Sequence, residues 1–110
     1  MSALTPAVFH ILLALAGGER HGYGILKDVL RQTDDAVRLG PGTLYGTLQR
    51  LMEEGWVEES DGPATIVDER RRHYRLTPSG RRALEAEVRR MERLVRVARA
   101  QRVGPRTSRG

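Results

Sequence analysis

The sequence has no cysteine. That single absence removes a disulfide scaffold, a zinc finger or ribbon, an iron–sulfur cluster and a thiol nucleophile, so the fold must hold by packing alone. Long apolar runs are missing too: the longest, Ile11 to Ala16, falls far short of the ~20 residues of a membrane span, and no basic segment precedes it. A cytoplasmic protein is expected. Aromatic residues make up only 5% of the chain, and Lys27 is its only lysine, so arginine carries nearly all the positive charge.

What is present fits one folded domain. The 110 residues, 39% hydrophobic and 30% charged, match an ordinary globular composition and exclude a disordered chain. The net charge of +5 suggests a polyanionic partner, but it is unevenly spread. Residues 1–69 carry five basic and eleven acidic side chains, a net −6, whereas residues 70–110 carry fourteen arginines against three glutamates, a net +11.

Thr5 and Pro6 mark a helix start and Gly17-Gly18 a stop, which predicts a first helix over about 5–16. Its apolar residues Val8, Phe9, Ile11, Leu12, Leu13 and Leu15 point around most of the circumference, so the helix needs partners on two sides. A second subunit is the expected partner on one of them. Ile25, Leu26, Val29 and Leu30 recur at helical spacing over about 22–32, and Leu44, Leu48, Leu51 and Met52 do so over about 42–54 before Gly55. Two short strands follow, at about 56–60 and 72–76, with Tyr74 and Leu76 alternating against His73 and Arg75. The polar stretch between them predicts an extended, partly mobile tip. Thr77-Pro78 opens a last helix over about 78–102, where Leu84, Val88, Met91, Val95 and Ala98 alternate by four and three. That is a two-heptad seam. Glu85 with Arg89 and Glu92 with Arg96 are expected to pair on its solvated face, and residues 104–110 are expected to be a disordered tail.

Catalytic and metal-binding patterns are missing. His10, His21 and His73 lie on three different elements without ligand spacing, so no metal and no cofactor are expected. Gly40-Pro41-Gly42-Thr43 lacks the lysine of a phosphate loop, and no serine sits in a nucleophile elbow. An enzyme is not expected.

Three helices followed by a two-stranded hairpin is the order of a winged helix-turn-helix, in which the third helix enters the DNA major groove. The expected fold is therefore mainly α with a small β-hairpin: a winged DNA-binding domain over residues 1–77 and one further helix over 78–103, to which the resemblance described next assigns dimerisation. The runs Leu4-Thr5-Pro6, His21-Gly22-Tyr23-Gly24, Leu39-Gly40-Pro41-Gly42-Thr43-Leu44-Tyr45, Glu54-Gly55-Trp56-Val57 and Arg70-Arg71-Arg72-His73-Tyr74-Arg75-Leu76-Thr77 together resemble the PadR family of bacterial transcriptional regulators. The resemblance spans about Leu4 to Leu94. It implies a homodimer that binds double-stranded DNA, most often as a repressor, and whose last helix packs against the partner subunit.

Within that reading, a turn of about 100° per residue sets Gly42, Gly46, Gln49, Arg50 and Glu53 opposite the leucine face of the third helix, with Thr43 beside them. The glycines permit close approach, Thr43 suits a phosphate, and Gln49 and Arg50 suit base edges. Tyr45 lies between the two faces, and the resemblance assigns it to DNA. Arg70, Arg71 and Arg72 sit where a wing meets the DNA backbone; the competing reading has them balance acids of the same hairpin. His21 and Tyr23 are candidates for a backbone contact. Val8, Phe9 and Leu12 of the first helix, with Leu84, Val88, Met91, Val95 and Ala98 of the last, are the expected dimer contacts. Two other functions stay open: a winged-helix protein-interaction module that does not read DNA, and a repressor controlled by a small hydrophobic effector. Relatives bind such effectors near the dimer centre, but the last helix has no Phe, Tyr or Trp, which leaves Phe9 as the aromatic that would line the site.

Overall fold

The computed structural model describes residues 4–60 and 72–103. Arg70, Arg71, the hairpin tip and the 104–110 tail lie outside the described residues. The elements run α1 (Pro6–Ala16), β1 (Arg20–His21), α2 (Gly22–Gln32), α3 (Pro41–Glu53), β2 (Val57–Ser60), β3 (His73–Leu76) and α4 (Pro78–Ala100). Helices dominate, as expected, and the order is that of a winged helix-turn-helix.

Local chemistry explains where the helices start. Thr5 Oγ1 accepts from the Val8 N–H at 3.2 Å, and Pro6 occupies the first turn of α1. His21 caps α2 with Nδ1, accepting from the Gly24 N–H at 3.1 Å. The Thr77 hydroxyl accepts from the Gly80 N–H at 3.0 Å and donates to the Gly55 carbonyl at 2.6 Å, which ties the start of α4 to the end of α3. Gly55, at φ +78°, ends α3: its N–H donates to the Met52 carbonyl and that of Trp56 to the Leu51 carbonyl, the paired bonds of a Schellman stop.

One element is additional to the sequence reading. The sheet has three strands in the order β1-β3-β2, all antiparallel, with Arg20 opposite Tyr74 and His21 opposite His73 on one edge of β3. On the other edge Val57 faces Leu76 and Ser60 faces His73. Two residues carry no periodicity, so β1 is recognisable only from its pairing. It changes the status of β3, now the central strand. His73 is buried beside Tyr74 rather than turned outward, and its ring meets that of His21 edge-on at 5.6 Å.

The core is formed by Ile11, Leu12 and Leu15 of α1, Ile25 and Val29 of α2, Leu44, Leu48 and Leu51 of α3, with Val57, Tyr74 and Leu84. Here the expected α1 contacts divide. Part of its apolar circumference is covered within one chain, because α1 packs against α2, α4 and β3, while Val8, Phe9 and Leu13 stay half-buried. Leu12 is 0% exposed and Leu84 only 5%, so both belong to the protomer's own core and leave no free face for a second copy. The ion pairs on α4 also differ: the recorded pair is Glu87 with Arg90, at 2.6 Å, rather than Glu85 with Arg89 or Glu92 with Arg96. Glu87 faces inward and is held there, whereas a pair between two exposed side chains is worth little and leaves both free to move.

Candidate nucleic-acid interface

The helix α3 divides cleanly. Leu44, Thr47, Leu48 and Leu51 are buried, while Gly42, Thr43, Tyr45, Gly46, Gln49 and Arg50 are all exposed. A Cβ added at Gly42 or at Gly46 would meet nothing within 4 Å, so packing among the described residues gives no reason for either glycine. A glycine inside a helix costs roughly 0.5–1 kcal/mol relative to alanine. The flat, open strip they leave between Thr43, Gln49 and Arg50 suits a partner backbone at close range.

The start of α3 differs from the other helices. Thr5, His21 and Thr77 cap α1, α2 and α4, but Gly40 offers α3 no side-chain hydrogen bond. Its first N–H groups point along the axis with the positive end of the helix dipole, where an anion is favoured.

Tyr45 is half exposed and faces two ways. Its hydroxyl lies against the backbone of Gly22 at the start of α2, where any Cβ would overlap it. Tyr74, behind it, is buried, and that burial pushes its hydroxyl above the ordinary tyrosine range, with smaller upward contributions from Glu59 and Tyr45 opposed by Arg72. Tyr45 therefore bridges the exposed face of α3 to the first turn of α2.

Of the three expected wing arginines, only Arg72 lies among the described residues. Its Nη1 donates to Glu59 Oε2 at 2.8 Å across the β2–β3 ladder, and Arg75 pairs with Glu58 at 2.7 Å in the same way. These are partly exposed cross-strand pairs. His21 serves as the cap of α2, while Tyr23 is 62% exposed on the next turn, its ring nearly parallel to that of His21.

On α4 the expected seam splits into two parts. Gly80, Leu84 and Glu87 are buried against the rest of the chain, and Met91 is half-buried. Farther along, Val95 is exposed with Leu94 and Val97, as is Val103 beyond the end of α4, while Ala98 is half-buried. Val88 is exposed where the two parts meet, and on α1 Val8 and Phe9 are half-buried. The heptad reading did not include Leu94 and Val97, which widen the stripe beyond one residue per turn.

Two buried carboxylates also escaped the sequence reading. Asp28 takes Arg20 Nε at 2.9 Å and the Arg31 guanidinium, which fixes α2 against the strand that precedes it. Glu87 accepts two hydrogen bonds from Arg90, and these hold its carboxyl below the usual range; burial acts the other way, and the Arg90 charge and a Leu4 backbone hydrogen bond add to the lowering. Only the inward position of each residue distinguishes it from the surface acids. Among the described residues no group of three His, Asp or Glu side chains is placed to hold a metal ion.

Residues 11–86 match the transcriptional regulator PadR-like family. The transcriptional regulator Rv3488 of Mycobacterium tuberculosis is 41% identical over 88 residues, which cover 79% of this chain and 77% of that protein. A PadR family transcription regulator from Clostridium difficile shares the fold, with a TM-score of 0.70 at 20% identity over 87% of this chain and 97% of its own. BpsR of Bordetella bronchiseptica, whose DNA binding is regulated by 6-hydroxynicotinic acid, superposes with a TM-score of 0.63 at 31% identity, over 87% of this chain and 61% of its own.

Proposed function

The chain belongs to the PadR-like family of transcriptional regulators, which are not enzymes, and we propose that it acts as a homodimeric repressor on a two-fold symmetric DNA operator. The observation that carries this reading is the exposed face of α3, where Gly42 and Gly46 leave a strip that nothing among the described residues fills. Residues 1–77 form the DNA-binding part and residues 78–103 the dimerisation helix. Gln49 and Arg50 read base edges, with Gln suited to adenine and Arg to guanine. Thr43 and the open N–H groups of α3 take a phosphate, and Tyr45 contacts the DNA from its edge of the helix. His21 and Tyr23 lie near the backbone, and Arg70 and Arg71 meet it from the wing. Arg72 joins them, its exposed pair with Glu59 being weak enough to open.

The exposed stripe of Leu94, Val95, Val97 and Val103 supports dimerisation through α4, joined by Val88, Met91 and Ala98, with Val8 and Phe9 at the margin. A two-fold axis would present the two α3 helices to successive major grooves, about 34 Å apart. A DNA partner implies a cytoplasmic protein; no helix among the described residues is long and apolar enough to cross a membrane.

The test is selection of bound fragments from genomic DNA at two salt concentrations, followed by anisotropy titration of the selected site. Specific enrichment that survives the higher salt is the expected result, since backbone contacts alone fade steeply with salt. Arg50→Ala and Gln49→Ala should each cost about 1–3 kcal/mol on the selected site. Neutralising the wing arginines should lower the salt slope by about 0.9 per lost phosphate contact. Equal affinity for selected and random duplex would leave the protein-interaction reading. Control by a small effector is a second reading, supported by the regulated DNA binding of BpsR.

A further inference from the structure

A groove of about 320 Å³ opens along α2, lined by Tyr23, Leu26, Lys27 and Leu30 of that helix and by Arg38 and Leu39 of the segment leading into α3. Its volume lies in the range of small-molecule sites, about 300–1,000 Å³. The α2 residues recur at helical spacing, so they form one continuous wall. Leu26, Leu30 and Leu39 are half-buried and form the apolar floor, whereas Lys27 and Arg38 are exposed at the rim. The groove therefore combines an aliphatic surface with two cations.

Neither cation is neutralised among the described residues. The nearest acid along α2, Asp28, is buried and engaged by Arg20 and Arg31. Tyr23 is 62% exposed, with its ring nearly parallel to that of His21 at 6.3 Å between centroids and Lys27 Nζ 5.3 Å from the ring centroid. The aliphatic surface of the groove is that of the three leucines. We propose that this groove binds a small anion with an aliphatic body, a medium-chain carboxylate or its equivalent. The chain lies on Leu26, Leu30 and Leu39, and the anionic head meets Lys27 and Arg38. Arg38 and Leu39 continue directly into Gly40, which precedes the first turn of α3, so occupancy bears on how α3 is held. That last consequence rests on the DNA-binding reading above; binding to the groove does not.

The experiment is calorimetric titration of the full chain, without DNA, using octanoate and then octanol. Octanoate is expected to saturate one site per chain, with octanol binding at least about tenfold more weakly. Lys27→Ala combined with Arg38→Ala should weaken octanoate binding about tenfold and leave octanol unchanged. Leu30→Asp should remove binding of both, with circular dichroism confirming that each variant is folded. Absence of saturable octanoate binding, equal binding of the two probes, or insensitivity to the charge removal overturns the proposal. A second titration measures operator affinity with and without octanoate. Operator binding in the ligand-free arm tests the DNA reading separately, so failure of one leaves the other assessable.

Discussion

The hydroxyl of Tyr45 occupies the space that a side chain at position 22 would fill. A Cβ on Gly22 would overlap that oxygen and stand 2.9 Å from the ring carbon bearing it. The contact joins the first turn of α2 to the middle of α3, and it sets how closely the two helices of the helix-turn-helix approach at that end. It also explains a glycine that the helix itself disfavours.

Gly22→Ala is expected to displace the Tyr45 ring rather than unfold the chain, because the obstructing atoms belong to the far end of a half-exposed side chain. The stability loss should sit near the lower limit for overpacking, about 1 kcal/mol, while operator affinity falls further. In a double-mutant cycle with Tyr45→Ala, the two changes should be non-additive by ~0.5 kcal/mol or more, as measured by thermal melting and anisotropy. Additive effects would mean that the contact carries no coupling.

Gly46→Ala should separate stability from function. Its Cβ would meet open space, so alanine is expected to stabilise the fold by roughly 0.5–1 kcal/mol in chemical denaturation. The same methyl should weaken operator binding by preventing close approach. A stabilised variant with full affinity would remove Gly46 from the interface.

Leu84 and Val95 lie on the same nominal seam, with opposite consequences. Leu84→Ala should cost about 2–5 kcal/mol of stability, since it empties part of the protomer core. Val95→Asp should leave the helical signal intact and yield a monomer in sedimentation velocity at micromolar concentration. A dimer that survives Val95→Asp would place the subunit contact elsewhere.

Glu87 gives the fold an acid-sensitive contact. Arg90 holds its carboxyl below the ordinary value of 4.5, so the stabilisation is complete above that value and is lost as pH falls through the lower, folded one. Urea midpoints measured from neutral pH down to acid should fall more steeply for the native chain than for Glu87→Gln. Parallel pH profiles would show that the pair contributes nothing to this dependence.

Much of the architecture was readable from local chemistry. Thr5-Pro6, Gly55 and Thr77-Pro78 act within a few residues of themselves, and the helix bounds they imply lie within two residues of those observed. The exposed face of α3 was readable for the same reason: once the leucines are buried, the opposite residues have only one direction to face. The contact of Tyr45 with Gly22 was not readable, because it is made through the packing of separate elements.

The sequence by itself determined the helices, the hairpin, the family resemblance and which residues of α3 face outward, since each depends on spacing along one segment. Only the tertiary structure decided what lies against what. It paired Arg20-His21 with β3, and so buried His73; it buried Leu12 and Leu84 in the protomer core, which took both out of the subunit contact; and it turned Asp28 and Glu87 inward, each against an arginine three residues along. A buried carboxylate and a surface carboxylate are the same letter, and an apolar stripe does not name what covers it. Both are settled by distances between segments far apart in the chain, which the one-dimensional pattern does not contain.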